Sequence, residues 1–316
     1  MSCTQPNIKV RPIVSYCLHP LRVAFRRIAR ALAVLVTDAR KVVMEKRPTH
    51  LPMWQLHSGS AEWLQRLVAT RGGWGLEEFD VSDCFLNTPR GSVLAAVKFW
   101  MVTTQSRTRR QPCFGISKDG KAGGHRGRPP VMHYWVITAE QIMSVCQWDL
   151  ENNDTFEIAA LDNTAVVVGQ RQGLPIGGHL SAAYVELLAL KREYEVSLWP
   201  ASVAGMLTAR YRDNFFVAVP HPWAADQRAV AADELSELLQ MPVVPERGGD
   251  EARCLELRIK WVSKANAKLG EKSGTVKVVL AYRTDADRQG ESGDLAGVGR
   301  STCTCSPQRA SGGPCG

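Results

Sequence analysis

The sequence predicts an α+β fold, and three observations carry that prediction. Apolar residues recur at helical spacing over the long stretches 21–47, 179–199 and 223–240. Short β-rich runs lie among them, one of which, around 204–219, folds back on itself as a hairpin, and no strand–helix–strand repeat appears. With 45% hydrophobic and 22% charged residues, a chain of 316 can bury one large core or two modest ones.

In order along the chain, Leu21, Phe25, Ile28, Leu32 and Leu35 form one stripe of a basic amphipathic helix, with Arg22, Arg26 and Arg30 on another face. Residues 1–37 contain six Lys or Arg and no acid, so a mitochondrial presequence competes with a surface helix for this segment. Gly72, Gly73 and Gly75 break the pattern, and EEFD, ending at Asp80, predicts a strand running into a turn or helix. Residues 105–130 show no periodicity and predict a mobile basic loop, carrying seven Lys or Arg against Asp119 alone. Such a loop is either a solvated insertion or, with Phe114, Tyr134 and Trp135, a track for a phosphate backbone whose bases meet aromatics. ITAEQIMSVCQW (137–148) predicts a helix, TFEIAALDNTAVVV (155–168) a strand-rich stretch, and GLPIGG a loop entering the helix of 179–199. FFVAV (215–219) is the second strand of the hairpin, Pro222 opens the helix of 223–240, and VKVVLAY (276–282) closes the patterned chain.

A net charge of +8 favours polyanionic partners. No apolar run approaches the ~18–20 residues of a membrane span. Nine scattered cysteines predict a reducing, intracellular compartment, cytoplasmic or nuclear, with a mitochondrial one as the alternative. Cys303, Cys305 and Cys315 either ligate zinc or belong to a flexible tail.

Asp80 at a strand end and Asp213 at a hairpin tip are the residues with the most chemistry. Two carboxylates delivered from neighbouring strand ends can hold a pair of Mg²⁺ ions about 3.5–4 Å apart. Each aspartate alone is equally a turn residue or helix cap.

KVRPIVS (9–15), FDVSDCFLNTP (79–89), RQGLPIGGHLS (171–181), ARYRDNFFV (209–217) and VVPERGGDEARCLELRI (243–259) resemble, in sequence and order, the fingers and palm motifs of reverse transcriptases. The resemblance covers roughly residues 9–262. It implies an RNA-directed DNA polymerase of a retroelement, with a right-hand palm, partial fingers and little or no thumb. Its layout is partial fingers and the basic helix at 1–75, a palm at 76–262 carrying the basic loop 105–130, the end of the palm or start of a thumb at 263–282, and a disordered tail at 283–316.

Carried onto these residues, the resemblance makes Asp80 and Asp213 metal ligands, with the Val81 carbonyl and Asn214 as further oxygens for two Mg²⁺, or Mn²⁺. Phe85 takes the place of an aromatic under the sugar, where a ring collides with a ribose 2′-hydroxyl and favours dNTPs. Gln172 and Gly173 lie against the incoming nucleotide, glycine letting backbone approach the template base. Lys9 and Arg11 grip the triphosphate, and Arg247 stands where the family has a lysine that protonates pyrophosphate. Cys254, Leu255, Glu256 and Leu257 support the primer end. The implied partners are an RNA template, a DNA or RNA primer and dNTPs.

Departures matter as well. Asn214 stands where the family has a second adjacent aspartate, which removes one charge from the metal site. Arg212 replaces a small residue, and Arg247, whose guanidinium keeps its proton, is a poor acid. These departures also fit a catalytically silent nucleic-acid-binding module or a decayed mobile-element fragment, and the Asp-Asn pair fits a viral RNA-directed RNA polymerase.

Overall fold

The computed structural model describes residues 13–16, 19–53, 62–63, 66, 75–108, 113–119, 124–127, 132–159, 165–195, 199–220, 222–249, 251–254, 257–263 and 274–280. The central sheet contains β1 (His50–Met53), β2 (Gly75–Val81), β8 (Leu207–Tyr211), β9 (Asn214–Val219) and β10 (Val243–Gly249), in the order β1-β8-β9-β2-β10. Only β1 and β8 run parallel; the other neighbours are antiparallel.

Strand alternation gives this sheet two different faces. Phe79 and Val81 of β2 and Phe215, Val217 and Val219 of β9 join the large core, with residues of α1 (Arg22–Lys46), α3 (Arg90–Thr108), α5 (Ser181–Tyr194) and α6 (Ala225–Leu239). Leu76, Leu207, Ala209, Phe216 and Ala218 join a smaller cluster with Leu51, Met53 and Trp63 on the opposite face. Even-numbered residues of β2 and β9 therefore look away from the main core. This sets the direction of Asp80 and Asn214.

Of the stripe read in α1, Phe25, Ile28, Leu32 and Leu35 are buried, whereas Leu21 is the exposed N-cap residue, and the helix ends just before Pro48. Helix α4 (Ala139–Asn152) opens with a capping box: the Gln141 N–H donates to the Thr138 hydroxyl at 3.2 Å and the Thr138 N–H donates to the Gln141 side chain at 3.0 Å. β6 (Thr155–Ala159) and β7 (Ala165–Gly169) make a separate hairpin. The remaining sheets are β11 (Glu251–Cys254), β12 (Leu257–Ser263) and β13 (Gly274–Leu280), and β3 (Cys113–Ser117), β4 (His125–Arg126) and β5 (Tyr134–Thr138).

The last of these sheets corrects the loop predicted at 105–130. Its first residues complete α3, and β3 and β4 pair within it. Phe114 and Ile116 are buried in the main core, so this segment is anchored by apolar burial that its Gly, Pro and charge content masks. Arg126 is buried as well, 3.5 Å from Asp38 and over the ring of Phe114. Neither Phe114 nor Arg126 is placed to meet a nucleic acid. Trp135 stays partly exposed, with the Arg27 guanidinium 3.9 Å and the Lys118 ammonium 5.1 Å from its ring centre. The tail from Arg283 lies outside the described residues. Among the described residues, no helix is long and apolar enough to cross a membrane.

Candidate active site

The pairing of β2 with β9 brings Asp80 and Asn214 face to face. They are direct partners in the β2–β9 register. The Val81 N–H donates to the Asp213 carbonyl at 2.9 Å, which makes 81 and 213 the hydrogen-bonded pair and leaves Asp80 and Asn214 at the adjoining non-hydrogen-bonded position. At that position opposed Cα atoms are about 4.5 Å apart and side chains approach most closely. Asp213 itself sits in the turn that joins β8 to β9, and all three residues are half-buried. The neighbouring Cys84 thiol, just after β2 in α2 (Cys84–Asn87), senses both carboxylates. Burial first, then the charge of Asp213, with Asp80 adding to it against the opposing pull of Arg210, pushes this thiol up to about 12.

The tip between Tyr211 and Asn214 is a two-residue turn. Arg212 takes φ +55°, a left-handed conformation that favours glycine in this place. Behind it, on the helix side of the sheet, lies Arg210, which is fully buried. Its Nη1 and Nη2 donate to Glu186 at 2.8 and 3.0 Å, while Nε and Nη2 donate to Glu193, the latter at 3.3 Å. The remaining Nη1 hydrogen goes to the Arg212 carbonyl at 3.1 Å. Glu193 also meets His50 Nε2 at 3.2 Å, and His50 Nδ1 shares a 2.8 Å hydrogen bond with the Thr208 hydroxyl. Burial alone would raise the Glu193 carboxyl, but the charges of Arg210 and His50 outweigh it and hold the group down at about 2. Sequence reasoning missed this network. Its signal is a pair of glutamates seven residues apart on a helix whose stretch between Glu186 and Lys191 is wholly apolar, opposite an arginine inside a strand.

The Gln172–Gly173 loop packs against α2. Leu174 N–H donates to the Phe85 carbonyl at 2.7 Å, and the Arg90 Nε, also missed in the sequence, donates to the Gly173 carbonyl at 2.6 Å. Gly173 has φ +69°, and a Cβ there would lie 2.4 Å from the Leu86 carbonyl oxygen and 2.5 Å from that of Phe85. Its missing side chain is thus explained by the backbone of α2. Gln172 is exposed and Phe85 is partly buried against the core.

Lys9 and Arg11 lie outside the described residues. The segment following them is docked on the same loop: Val14 N–H donates to the Ile176 carbonyl at 2.7 Å, and a Cβ on Gly177 would lie 2.6 Å from the Val14 carbonyl oxygen. The backbone of Arg247 pairs with Glu78 in β10–β2, directly beside the strand that carries Asp80, while its side chain lies outside the described residues. Cys254 and Leu257 form the end pair of the β11–β12 hairpin, and Leu255 and Glu256 between them lie outside the described residues.

The donors at the tip are hard oxygens suited to Mg²⁺. Two are carboxylates, and among the described residues no group of three His, Cys, Asp or Glu converges on a metal position. Asn214 accounts for this at the hairpin, since it supplies an amide oxygen in place of a third carboxylate.

No protein-family model and no curated protein sequence matches the chain. Solved structures do match. The telomerase of Candida tropicalis in complex with the TWJ fragment of telomeric RNA aligns with a TM-score of 0.52 at 14% identity, over 78% of this chain and 38% of the telomerase. The apo telomerase of the same organism gives 0.51 at 13% identity, over 74% and 38%. Telomerase from Candida albicans with the same kind of RNA fragment gives 0.51 at 12%, over 74% and 38%. The chain thus spans under half the length of these telomerases. At such identities the likeness concerns fold: a mixed α+β architecture with an antiparallel-rich sheet on helices, similar to the palm-like fold of these telomerases, with Asp80 and Asn214 opposed where β2 pairs with β9.

Proposed function

We propose that the chain is an RNA-directed DNA polymerase that extends a primer with dNTPs by two-metal-ion nucleotidyl transfer. One observation carries this reading: Asp80 of β2 and Asn214 of β9 are direct partners on the face of the central sheet turned away from the main helical core, with Asp213 in the turn that joins β8 to β9. The telomerase complexes with an RNA fragment agree with an RNA template.

Asp80 and Asp213, with the Val81 carbonyl and the Asn214 amide oxygen, would hold Mg²⁺ or Mn²⁺. When bound, such ions supply activation of the primer hydroxyl and neutralisation of charge at the α-phosphate. In the reaction the primer 3′-oxygen bonds to the α-phosphorus, the bond to pyrophosphate breaks, and the hydroxyl proton is released. Lys9 and Arg11 bind the triphosphate. Phe85, held by its carbonyl against Leu174, places its ring under the sugar and selects deoxynucleotides. Gln172 and Gly173 line the nucleotide, and Arg247 neutralises the leaving pyrophosphate without acting as an acid. Cys254, Leu255, Glu256 and Leu257 support the primer end.

Primer extension on an RNA template, with dNTPs and rNTPs compared, tests the reading. Wild type incorporates dNTPs, and Asp80→Ala lowers the rate by more than about 100-fold. Extension by Asp80→Ala at the wild-type rate would reject the assignment, and a preference for rNTPs would favour an RNA-directed RNA polymerase. A second reading rests on Asn214 and the missing third carboxylate: a silent nucleic-acid-binding palm. Salt-dependent RNA binding without incorporation in either Mg²⁺ or Mn²⁺ would establish it.

A further inference from the structure

Arg210 lies under the turn that carries Asp213, and all of its donors are engaged. A guanidinium has five N–H bonds in a rigid fork. Two go to Glu186, two to Glu193 and the fifth to the Arg212 carbonyl. The two carboxylates come from α5, so the fork is fixed to the helix layer on one side and to the turn on the other. The recipient carbonyl belongs to the residue whose φ is +55°, a conformation that persists only where its surroundings over-determine it.

We propose that Arg210 is a positioning residue that sets the Asp213 turn from beneath the sheet, by anchoring the Arg212 carbonyl to Glu186 and Glu193 of helix α5. A lysine in its place keeps the charge but has three donors on one atom, too few for the five acceptors. The link to catalysis rests on the metal-site reading above, whereas the anchoring is a property of the protein alone and is measured without metal.

Hydrogen exchange of the amides at 211–214 and of Val81, which bonds to Asp213, is compared in wild type, Arg210→Lys and Val97→Ala. Val97 is buried in α3, a helix packed on α1, α4 and α5, so its truncation controls for general destabilisation. Arg210→Lys is expected to lower protection of these amides at least tenfold more than Val97→Ala does at matched melting temperature. It should also weaken Mn²⁺ binding, read from the free Mn²⁺ resonance signal, about tenfold and lower kcat with little change in KM for dNTP. Equal protection in the two variants overturns the proposal. If wild type binds no Mn²⁺ while the exchange result holds, the metal-site reading fails and the anchoring stands. Should Arg210→Lys not fold, the wild-type guanidinium is read directly by nitrogen NMR. Separate, slowly exchanging side-chain N–H signals support the anchor, and a rapidly rotating, averaged group overturns it.

Discussion

Replacing Asn214 with aspartate restores a third carboxylate at a position directly opposite Asp80, and it should move two properties in opposite directions. In the free protein the new charge stands near Asp80 and Asp213. At about 4 Å each like-charge contact costs about 1 kcal/mol in a water-like dielectric, so the metal-free protein should lose about 1–2 kcal/mol of stability. Toward a divalent ion at similar distance the same charge contributes about 2 kcal/mol, rising to about 8 at an effective dielectric near 20. The residues are half-buried rather than fully solvated, so the lower figure is a floor. About 2 kcal/mol corresponds to a roughly thirtyfold lower Mg²⁺ midpoint. The assays are thermal melting without metal and dNTP incorporation against Mg²⁺ concentration. If Asn214→Asp changes neither the melting temperature nor the Mg²⁺ midpoint, residue 214 does not face Asp80 across the metal position and the site is wrongly drawn. If stability falls and Mn²⁺ binding tightens but no incorporation appears, the fold binds metal and the silent-module reading prevails.

Gly173→Ala meets the Leu86 and Phe85 carbonyl oxygens at 2.4 and 2.5 Å and forces alanine to φ +69°. A loss of at least about 1–2 kcal/mol in denaturant unfolding follows, and an unchanged midpoint would contradict the packing of this loop on α2. Phe85→Val should narrow the dNTP over rNTP preference in single-nucleotide extension; an unaltered ratio removes Phe85 from sugar selection. Cys84, pushed up to about 12, should resist a thiol reagent at pH 8 in the folded protein and react on unfolding. Because its folded pKa is raised from 9.0, its share of stability is complete below pH 9 and declines as pH rises toward 12. Glu193 has the opposite sign: held at about 2 against an ordinary 4.5, its stabilisation is present above pH 4.5 and lost as pH falls through 2. Glu193→Gln should remove that part of the acid transition and destabilise the protein by about 3–5 kcal/mol at pH 7, and an unaltered acid limb would count against the buried pair.

The sequence was legible where a residue's type and its environment agree. The apolar stripe of α1 and the FFVAV strand follow from periodicity, because a buried face needs apolar residues at its own spacing. Asp80 and Asp213 became candidates only through the order of surrounding motifs, since an aspartate in a turn carries no distinctive signal by itself. Helix boundaries were less visible: α4 begins at Ala139 because Thr138 and Gln141 cap it, whereas the pattern alone starts at Ile137. The strands β3 and β4 were hidden by glycine and charge, although Phe114 and Ile116 anchor them. Arg210 was hidden because a charge in a strand suggests solvent unless its partners are known, and those partners lie seventeen and twenty-four residues upstream. Gly173 was legible as a necessary glycine, but the backbone that requires it could be identified only in three dimensions.

The register that opposes Asp80 and Asn214 does not depend on their charges. Phe79 and Phe215 are partners facing the helices, while Leu76 pairs with Ala218 on the other face, within the cluster that holds Phe216. A slip of one residue would turn every one of these side chains to the wrong face, so apolar burial fixes the pairing on both sides of the sheet. The turn is tied by Arg210 from the helix layer, again without recourse to a metal ion. On the proposed metal-site reading, an amide at 214 would bind the ion more weakly than a carboxylate would, while leaving the forces that shape the site in place. The two proposed readings, a weakened polymerase and a silent binder, therefore call for the same fold, and metal binding and incorporation together, rather than stability, decide between them.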